Sequence, residues 1–255
     1  MTQIMPSLFV SHGNPMLALD AESAMEYRDW GKTLPLPKAI LIFSAHWEKA
    51  GLVFGETIRH EKLVYDFYGF PDELYQLQYP APGAEWLVSE VRRVVNEDIL
   101  QSNRGLDHGV WVPLLHMWPD AGVPILQMSL PSDYSNQQLY ELGRQLAPLR
   151  KQGVMIVGAG TLSHNLREGL SRRYTETPTW VLNFDRWITQ TLAADREQLF
   201  EWETKAPDAM RNHPTPEHFR PLLITVGVAY ESETPVYPLS GFDMAVFSKR
   251  SVQFG

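Results

Sequence analysis

The sequence contains no cysteine, and that absence removes a whole set of chemistries. A disulfide framework, a thiolate zinc site, an iron–sulfur cluster and a cysteine nucleophile are all excluded. Long apolar runs are missing as well. Nothing approaches the ~20 residues needed to cross a bilayer, and the N-terminus has neither the basic start nor the greasy centre of a signal peptide. Basic clusters are also absent: with a formal net charge of -8, the chain offers a phosphate backbone no electrostatic footprint. The expectation is a cytoplasmic protein with neither nucleic acid nor membrane as a partner; its oligomeric state is not legible.

There is no internal repeat, no low-complexity tract and no Gly/Ser linker, and the 19 prolines are scattered as local punctuation. A chain of 255 residues, 44% hydrophobic, can bury one sizeable core, so a single domain over residues 1–255 is expected. Short β-like runs at 7–11, 39–44, 123–130 and 154–157 alternate with helical stretches. That pattern predicts an α/β fold with a central, mostly parallel or mixed sheet and helices on both faces.

Between residues 83 and 97, the side chains Trp86, Leu87, Val91, Val94 and Val95 form one helical stripe, and Leu139, Leu142 and Leu146 form another. A third, more aromatic stretch holds Trp180, Leu182, Phe184, Trp187, Ile188 and Leu192. From Thr215 a further helix is expected, with Thr215 as cap, Pro216 at its first position, His218 in its first turn and Phe219, Leu222, Leu223 and Val226 buried. The runs 236–239 and 244–247 read as additional strands.

Without thiols, the eight histidines and thirty acidic residues are the strong metal ligands available. Three strand-like runs lead to a histidine: Leu-Phe-Val-Ser into His12, Ile-Phe-Ser-Ala into His46, and Ile-Val-Gly-Ala-Gly through Thr161, Leu162 and Ser163 into His164. In open α/β sheets ligands bind beyond the carboxyl ends of the strands, so residues far apart in sequence can converge there. Strand parity puts Leu8, Val10 and His12 on one side of their strand, and Ile40, Ile42, Ser44 and His46 on one side of theirs. Gly13, Gly158 and Gly160 allow sharp turns and close approach. A lone histidine at a strand end is usually a hydrogen-bonded structural residue; three together, with cysteine absent, point to a shared site.

His108 sits in a loop before an apolar, helix-like stretch at 111–118, and the helix dipole near His218 would favour the neutral imidazole that a metal requires. Glu217 beside His218 offers a carboxylate instead. His116 reads as a core or boundary residue and His60 as a polar-loop residue without a role. His213 is placed either lining the site or in a solvated loop.

Five segments carry a resemblance in order along the chain. These are Ser-His-Gly-Asn-Pro at 11–15, Ser-Ala-His-Trp at 44–47, Asp-His-Gly-Val-Trp at 107–111, Ser-His-Asn-Leu-Arg at 163–167 and Thr-Pro-Glu-His-Phe-Arg-Pro-Leu-Leu at 215–223. Tyr-Asp-Phe-Tyr-Gly-Phe-Pro at 65–71 and Tyr-Pro-Ala-Pro-Gly at 79–83 extend it. Together they resemble the class III extradiol ring-cleaving dioxygenases, in the branch that includes the DOPA 4,5-dioxygenases. The resemblance implies an oxidoreductase that opens a catechol ring beside its two hydroxyls with O2, giving a muconic semialdehyde-type product.

It further implies one Fe(II) per chain, with His12, His46 and His218 as metal ligands and Glu217 as the rival third ligand. His164 would be the acid/base and His108 a second catalytic group that binds substrate or oxygen. His213 and Tyr65 are the other substrate-side candidates, Tyr65 by its place in the 65–71 segment. Three histidines also suit Zn(II), which would compete for the same site. A zinc-dependent hydrolase and a non-enzymatic metal-binding protein of the same fold are the alternatives. The absence of an HExxH element weighs against the first, and the presence of all five motif histidines against the second.

Overall fold

A computed structural model describes residues 3–255. Its organising element is a seven-stranded sheet built from β1 (Ser7–Ser11), β2 (Ala39–Lys49), β3 (Leu52–Phe54), β4 (Ile99–Gln101), β5 (Ile125–Pro131), β6 (Val154–Gly160) and a C-terminal strand. Between β6 and that last strand lies a small hairpin, β7 (Phe242–Asp243) with β8 (Phe247–Ser248), so the C-terminal strand is β9 (Val252–Phe254). The order is β4-β3-β5-β2-β6-β1-β9, with β5, β2, β6 and β1 parallel and β9 antiparallel at the edge. The fold is α/β with a mixed sheet, as the alternation of β-like and helical stretches predicts.

Among the described residues the helices are α1 (Ala21–Thr33), α2 (Glu85–Val94), α3 (His108–Met117), α4 (Asn136–Leu146), α5 (Leu166–Leu170), α6 (Thr179–Ala194), α7 (Trp202–Lys205), α8 (Ala209–Asn212) and α9 (Arg220–Val228). None of the described helices is long and apolar enough to cross a membrane. Side-chain alternation along the strands feeds two cores. Phe9, Leu41, Phe43 and Ile156 pack with α2, α4, α6 and α9, while Leu8, Val10, Ile40, Ile42 and Val157 pack with α1 and α3. Helices therefore cover both faces, and the central strands read as continuous apolar runs because neither face meets water.

Several boundaries differ from the sequence reading. Helix α9 begins at Arg220, and His218 lies in the turn that leads into it. Pro221 has no amide proton, so the Glu217 carbonyl gains no helical partner and regular helix starts later. Helix α3 begins at His108 itself, because the Asp107 carbonyl accepts the amides of Val110 and Trp111 at 2.9 and 3.0 Å. Residues 244–246 form the turn of the β7–β8 hairpin, with Met244 and Ala245 at φ 46° and 61°, so of the 244–247 run Phe247 alone is in a strand. Of 236–239, Val236 alone pairs, in an isolated bridge to Gln253.

The glycines of β6 also act differently from the expectation. Gly158 and Gly160 lie in regular strand and give the approach to α9 room: an added Cβ would stand 2.4 Å from the Pro221 carbonyl oxygen and 2.2 Å from that of His218, respectively. The Thr161 amide donates to the same His218 carbonyl at 3.0 Å. Gly160→Ala is therefore expected to push the His218 turn off the sheet, with a loss of about 1–3 kcal/mol in urea unfolding. Unchanged stability would mean that this close packing does not hold the turn.

Candidate metal centre

The strand order explains the convergence. Strands β1, β6 and β2 are adjacent, so His12 one residue past β1, His164 four residues past β6 and His46 within β2 meet at one rim of the sheet. Strand β2 runs beyond the predicted end because it resumes pairing with β5 after a register shift between Phe43 and Glu48, and His46 occupies the shifted stretch. The His218 turn arrives over β6, and α3 brings His108 to the other side. The ring centroids lie 4.8 Å apart for His12 and His46, 5.3 Å for His12 and His218, and 4.9 Å for His46 and His218. One ring nitrogen from each of these three lies within 4.8 Å of the others.

The outer face of each ring is already engaged. His12 Nδ1 lies 2.7 Å from the Gly13 carbonyl, which the left-handed Gly13 (φ 69°) turns back toward the ring. His218 Nδ1 lies 2.9 Å from Glu217 Oε1, and His46 Nδ1 faces Asp66 Oδ2 at 3.3 Å. Acceptors at Nδ1 draw the proton there and leave Nε2 with a lone pair, the arrangement that orients metal-binding imidazoles. His218 Nε2 is buried without any partner, and the Nε2 atoms of His12 and His46 stand 3.2 Å apart. Two nitrogens each ~2.1 Å from one cation and roughly 90–110° apart would be separated by about 3.0–3.4 Å. The donor set and its spacing fit a metal ion.

Electrostatics agree with that fit. Burial, reinforced by mutual repulsion among the rings, lowers His12 and His218 well below the ordinary imidazole range and lowers His46 to about 3. Neutral imidazoles are what a cation needs. His164 stacks on His218 with centroids 3.5 Å apart and planes 11° from parallel, and burial lowers it to about 3. Its backbone amide is tied to the Asn212 carbonyl at 3.0 Å.

His108 is buried, its ring 4.0 Å from that of His46. Asp66 holds it: Oδ1 accepts from the His108 amide at 3.1 Å and lies 2.9 Å from its Nδ1. Burial alone would raise the Asp66 carboxyl, but the hydrogen bonds from His108 and the nearness of His46 override that and hold it at about 2. Beneath His46, the fully buried Asp107 accepts from Ser44 Oγ at 2.7 Å and Gln127 Nε2 at 2.6 Å, while Arg104 donates to the His46 carbonyl at 3.2 Å. Burial and the Asp66 charge push the Asp107 carboxyl up, against those two hydrogen bonds. Arg220 anchors the His218 turn by donating to the Pro131 carbonyl at 2.9 Å and facing Glu48 at 3.5 Å.

Two sequence candidates fall outside the imidazole group. His213 is not solvated; it is fully buried, with Nε2 2.9 Å from the Leu162 carbonyl and its ring packed against Phe184, Trp202 and Phe219. Tyr65 donates its hydroxyl to the Leu77 carbonyl at 2.7 Å and packs with Phe67, Tyr75 and Trp111, so it supports the wall behind His108. His60, read as a polar-loop residue, is buried with Nε2 3.0 Å from the Ile125 carbonyl. Asp66 went unnoticed as a site residue although it lies in the quoted 65–71 segment. An acid inside an otherwise aromatic stretch was the available signal.

Comparison with known proteins decides among the chemistries such a centre could support. Residues 6–247 match the family described as the catalytic LigB subunit of aromatic ring-opening dioxygenase. The chain belongs to that family. It is 36% identical to a 4,5-DOPA dioxygenase extradiol of Beta vulgaris, covering 98% of this chain and 97% of that protein. It is 35% identical to the Escherichia coli K12 protein of the same name, covering 98% and 95%. The solved structure of an uncharacterized Escherichia coli K12 protein superposes with a TM-score of 0.83 at 32% identity, covering 98% of this chain and all of that one. This LigB-family chain is thus an extradiol ring-cleaving dioxygenase, an oxidoreductase that works with a small molecule, O2 and a non-haem metal.

Proposed function

We propose that this dioxygenase opens a catechol of the DOPA type beside its two hydroxyls, giving a muconic semialdehyde-type product, at one Fe(II) per chain held by the Nε2 atoms of His12, His46 and His218. The observation that carries this reading is the convergence of three neutral imidazoles whose Nδ1 atoms are engaged elsewhere, with His218 Nε2 buried and unpartnered. Glu217 then serves as the partner that orients His218, and the third ligand is the histidine. The DOPA assignment is supported by the names of the Beta vulgaris and Escherichia coli relatives. When bound, Fe(II) supplies open coordination positions for both catechol oxygens and for dioxygen, together with the electron that activates the gas.

The protein's part is proton handling and placement. His164, neutral and free at its ring nitrogens, accepts a proton from a catechol hydroxyl and later returns it to oxygen. His108, with its Nδ1 proton held by Asp66, presents the Nε2 lone pair to the substrate and accepts a hydrogen bond from a catechol hydroxyl. Zn(II) suits the same three nitrogens and competes for them, but it has no accessible redox change and supports no oxygen chemistry.

Anaerobic reconstitution with Fe(II), followed by oxygen-electrode assays across substituted catechols, tests the proposal. One metal per chain, catechol-dependent O2 uptake and the yellow absorbance of a semialdehyde are expected. Iron-loaded protein that consumes no O2 with any catechol would end this reading.

A further inference from the structure

Asp66 stands in residues 65–71, a stretch without helix or strand, followed by Phe67, whose ring meets that of His108 at 5.7 Å. Tyr68 beside it is 92% exposed, yet the Asp66 side chain is turned inward and keeps 19% of its surface accessible. Its two oxygens are divided between two imidazoles. Oδ1 takes the His108 amide at 3.1 Å and lies 2.9 Å from His108 Nδ1, while Oδ2 faces His46 Nδ1 at 3.3 Å. An ionised carboxylate only accepts, so both rings meet it with a proton on Nδ1 and both keep Nε2 for other work. The two rings are themselves 4.0 Å apart.

We infer that Asp66 is a positioning residue: one carboxylate holds the metal-side His46 and the substrate-side His108 in the same Nδ1–H form, so metal affinity and catechol engagement are set together. The inference rests on the roles proposed above for His46 and His108. It makes an unusual demand on the substitution series. Asparagine keeps the shape of Asp66 but carries a donor on one side. The amide oxygen stays with the two His108 donors and the amide nitrogen meets His46 Nδ1, which must then give up its proton. The proton moves to His46 Nε2, where the metal needs a lone pair. Alanine imposes no such reversal, because water can fill the gap and His46 is free to adopt either tautomer.

Fe(II) affinity, measured anaerobically by chelator competition, is therefore expected to weaken about 10–100-fold in Asp66→Asn and by less in Asp66→Ala. Anaerobic titration with 4-nitrocatechol should show weaker binding in both variants. A role limited to filling space predicts the opposite order, since asparagine preserves volume and alanine does not. Long-range 15N–1H imidazole spectra of the metal-free protein give a readout independent of metal and turnover. His46 and His108 should carry the proton on Nδ1 in the unmodified protein, and His46 should carry it on Nε2 in Asp66→Asn.

Metal binding as tight in Asp66→Asn as in the unmodified protein, or an unchanged His46 tautomer, overturns the inference. If the unmodified protein takes up no metal, the metal-site reading fails, whereas the metal-free spectra still decide the role of Asp66. Should Asp66→Asn fail to fold, the spectrum of Asp66→Ala decides: an unaltered Nδ1 preference at both rings counts against it.

Discussion

His218→Ala is expected to be purified without stoichiometric metal, while His164→Ala keeps its metal and loses about 100-fold to 10,000-fold in turnover. The two rings stack 3.5 Å apart, so a purely local packing defect would affect both variants alike. The proposed roles separate them. His218 Nε2 is buried with no hydrogen-bond partner and closes the group made with His12 and His46, whereas His164 donates nothing to that trio. Glu217→Ala falls between: the three nitrogens remain, but His218 Nδ1 loses its acceptor at 2.9 Å, and affinity should weaken about 10–100-fold while saturating metal restores activity. Elemental analysis of the three variants checks the set. Metal lost in Glu217→Ala and retained in His218→Ala would make the carboxylate the ligand.

What the sequence revealed of this centre, and what it hid, follows from the range of the interactions involved. Strand β1 and the first part of β2 were readable because each carries a two-residue period, and the sheet core bears out that parity at Leu8, Val10, Ile40 and Ile42, whereas the extension of β2 past its register shift was not. Strand β9 was not readable, since three residues pairing antiparallel with β1 leave no period to detect. The β7–β8 turn was missed because Met244 and Ala245 hold positive φ, a conformation that ordinary turn chemistry assigns to Gly or Asn.

Asp66 was hidden for another reason. Its partner His108 is 42 residues away, and the acid in an aromatic stretch marks a special position without naming that partner. His213 is legible in a different way. Closeness in sequence to His218 pointed to the site, whereas the ring is enclosed among three aromatic side chains and hydrogen-bonded to Leu162. His12 and His46 were legible because strand-like runs lead into them; the groups that orient those histidines reach them only through tertiary contacts.

The same burial that keeps the imidazoles ready for a cation should make the metal-free protein acid-labile. His46 and His164 are lowered to about 3 and His213 to about 4, with burial the leading cause in each. His12 and His218 are likewise lowered well below the ordinary imidazole range by burial and their neighbours. Above pH ~6.5 these groups are neutral in the folded and unfolded chain alike and do not affect stability. As pH falls below that value the unfolded chain binds protons that the folded chain refuses, so stability is lost progressively until the folded pKa values are reached.

Each histidine that stays neutral contributes a loss of about 1.4 kcal/mol per pH unit. Three acting together give about 4 kcal/mol per unit, comparable with the ~5–15 kcal/mol total stability of a typical domain. The Tm of metal-free protein should therefore be flat from pH 8 to 7 and fall steeply between pH 6.5 and 5. Calorimetry in buffers of different ionisation enthalpy should detect uptake of several protons on unfolding at pH 5.5. Bound metal, by occupying the same lone pairs, should hold the Tm higher across that window. Asp66 does not blur the result, since at about 2 it titrates well below that window. A Tm that stays level from pH 7 to pH 5 in the metal-free protein would mean that the imidazoles are already charged in the folded state, and a cluster of like charges could not form the preformed cation site argued for here.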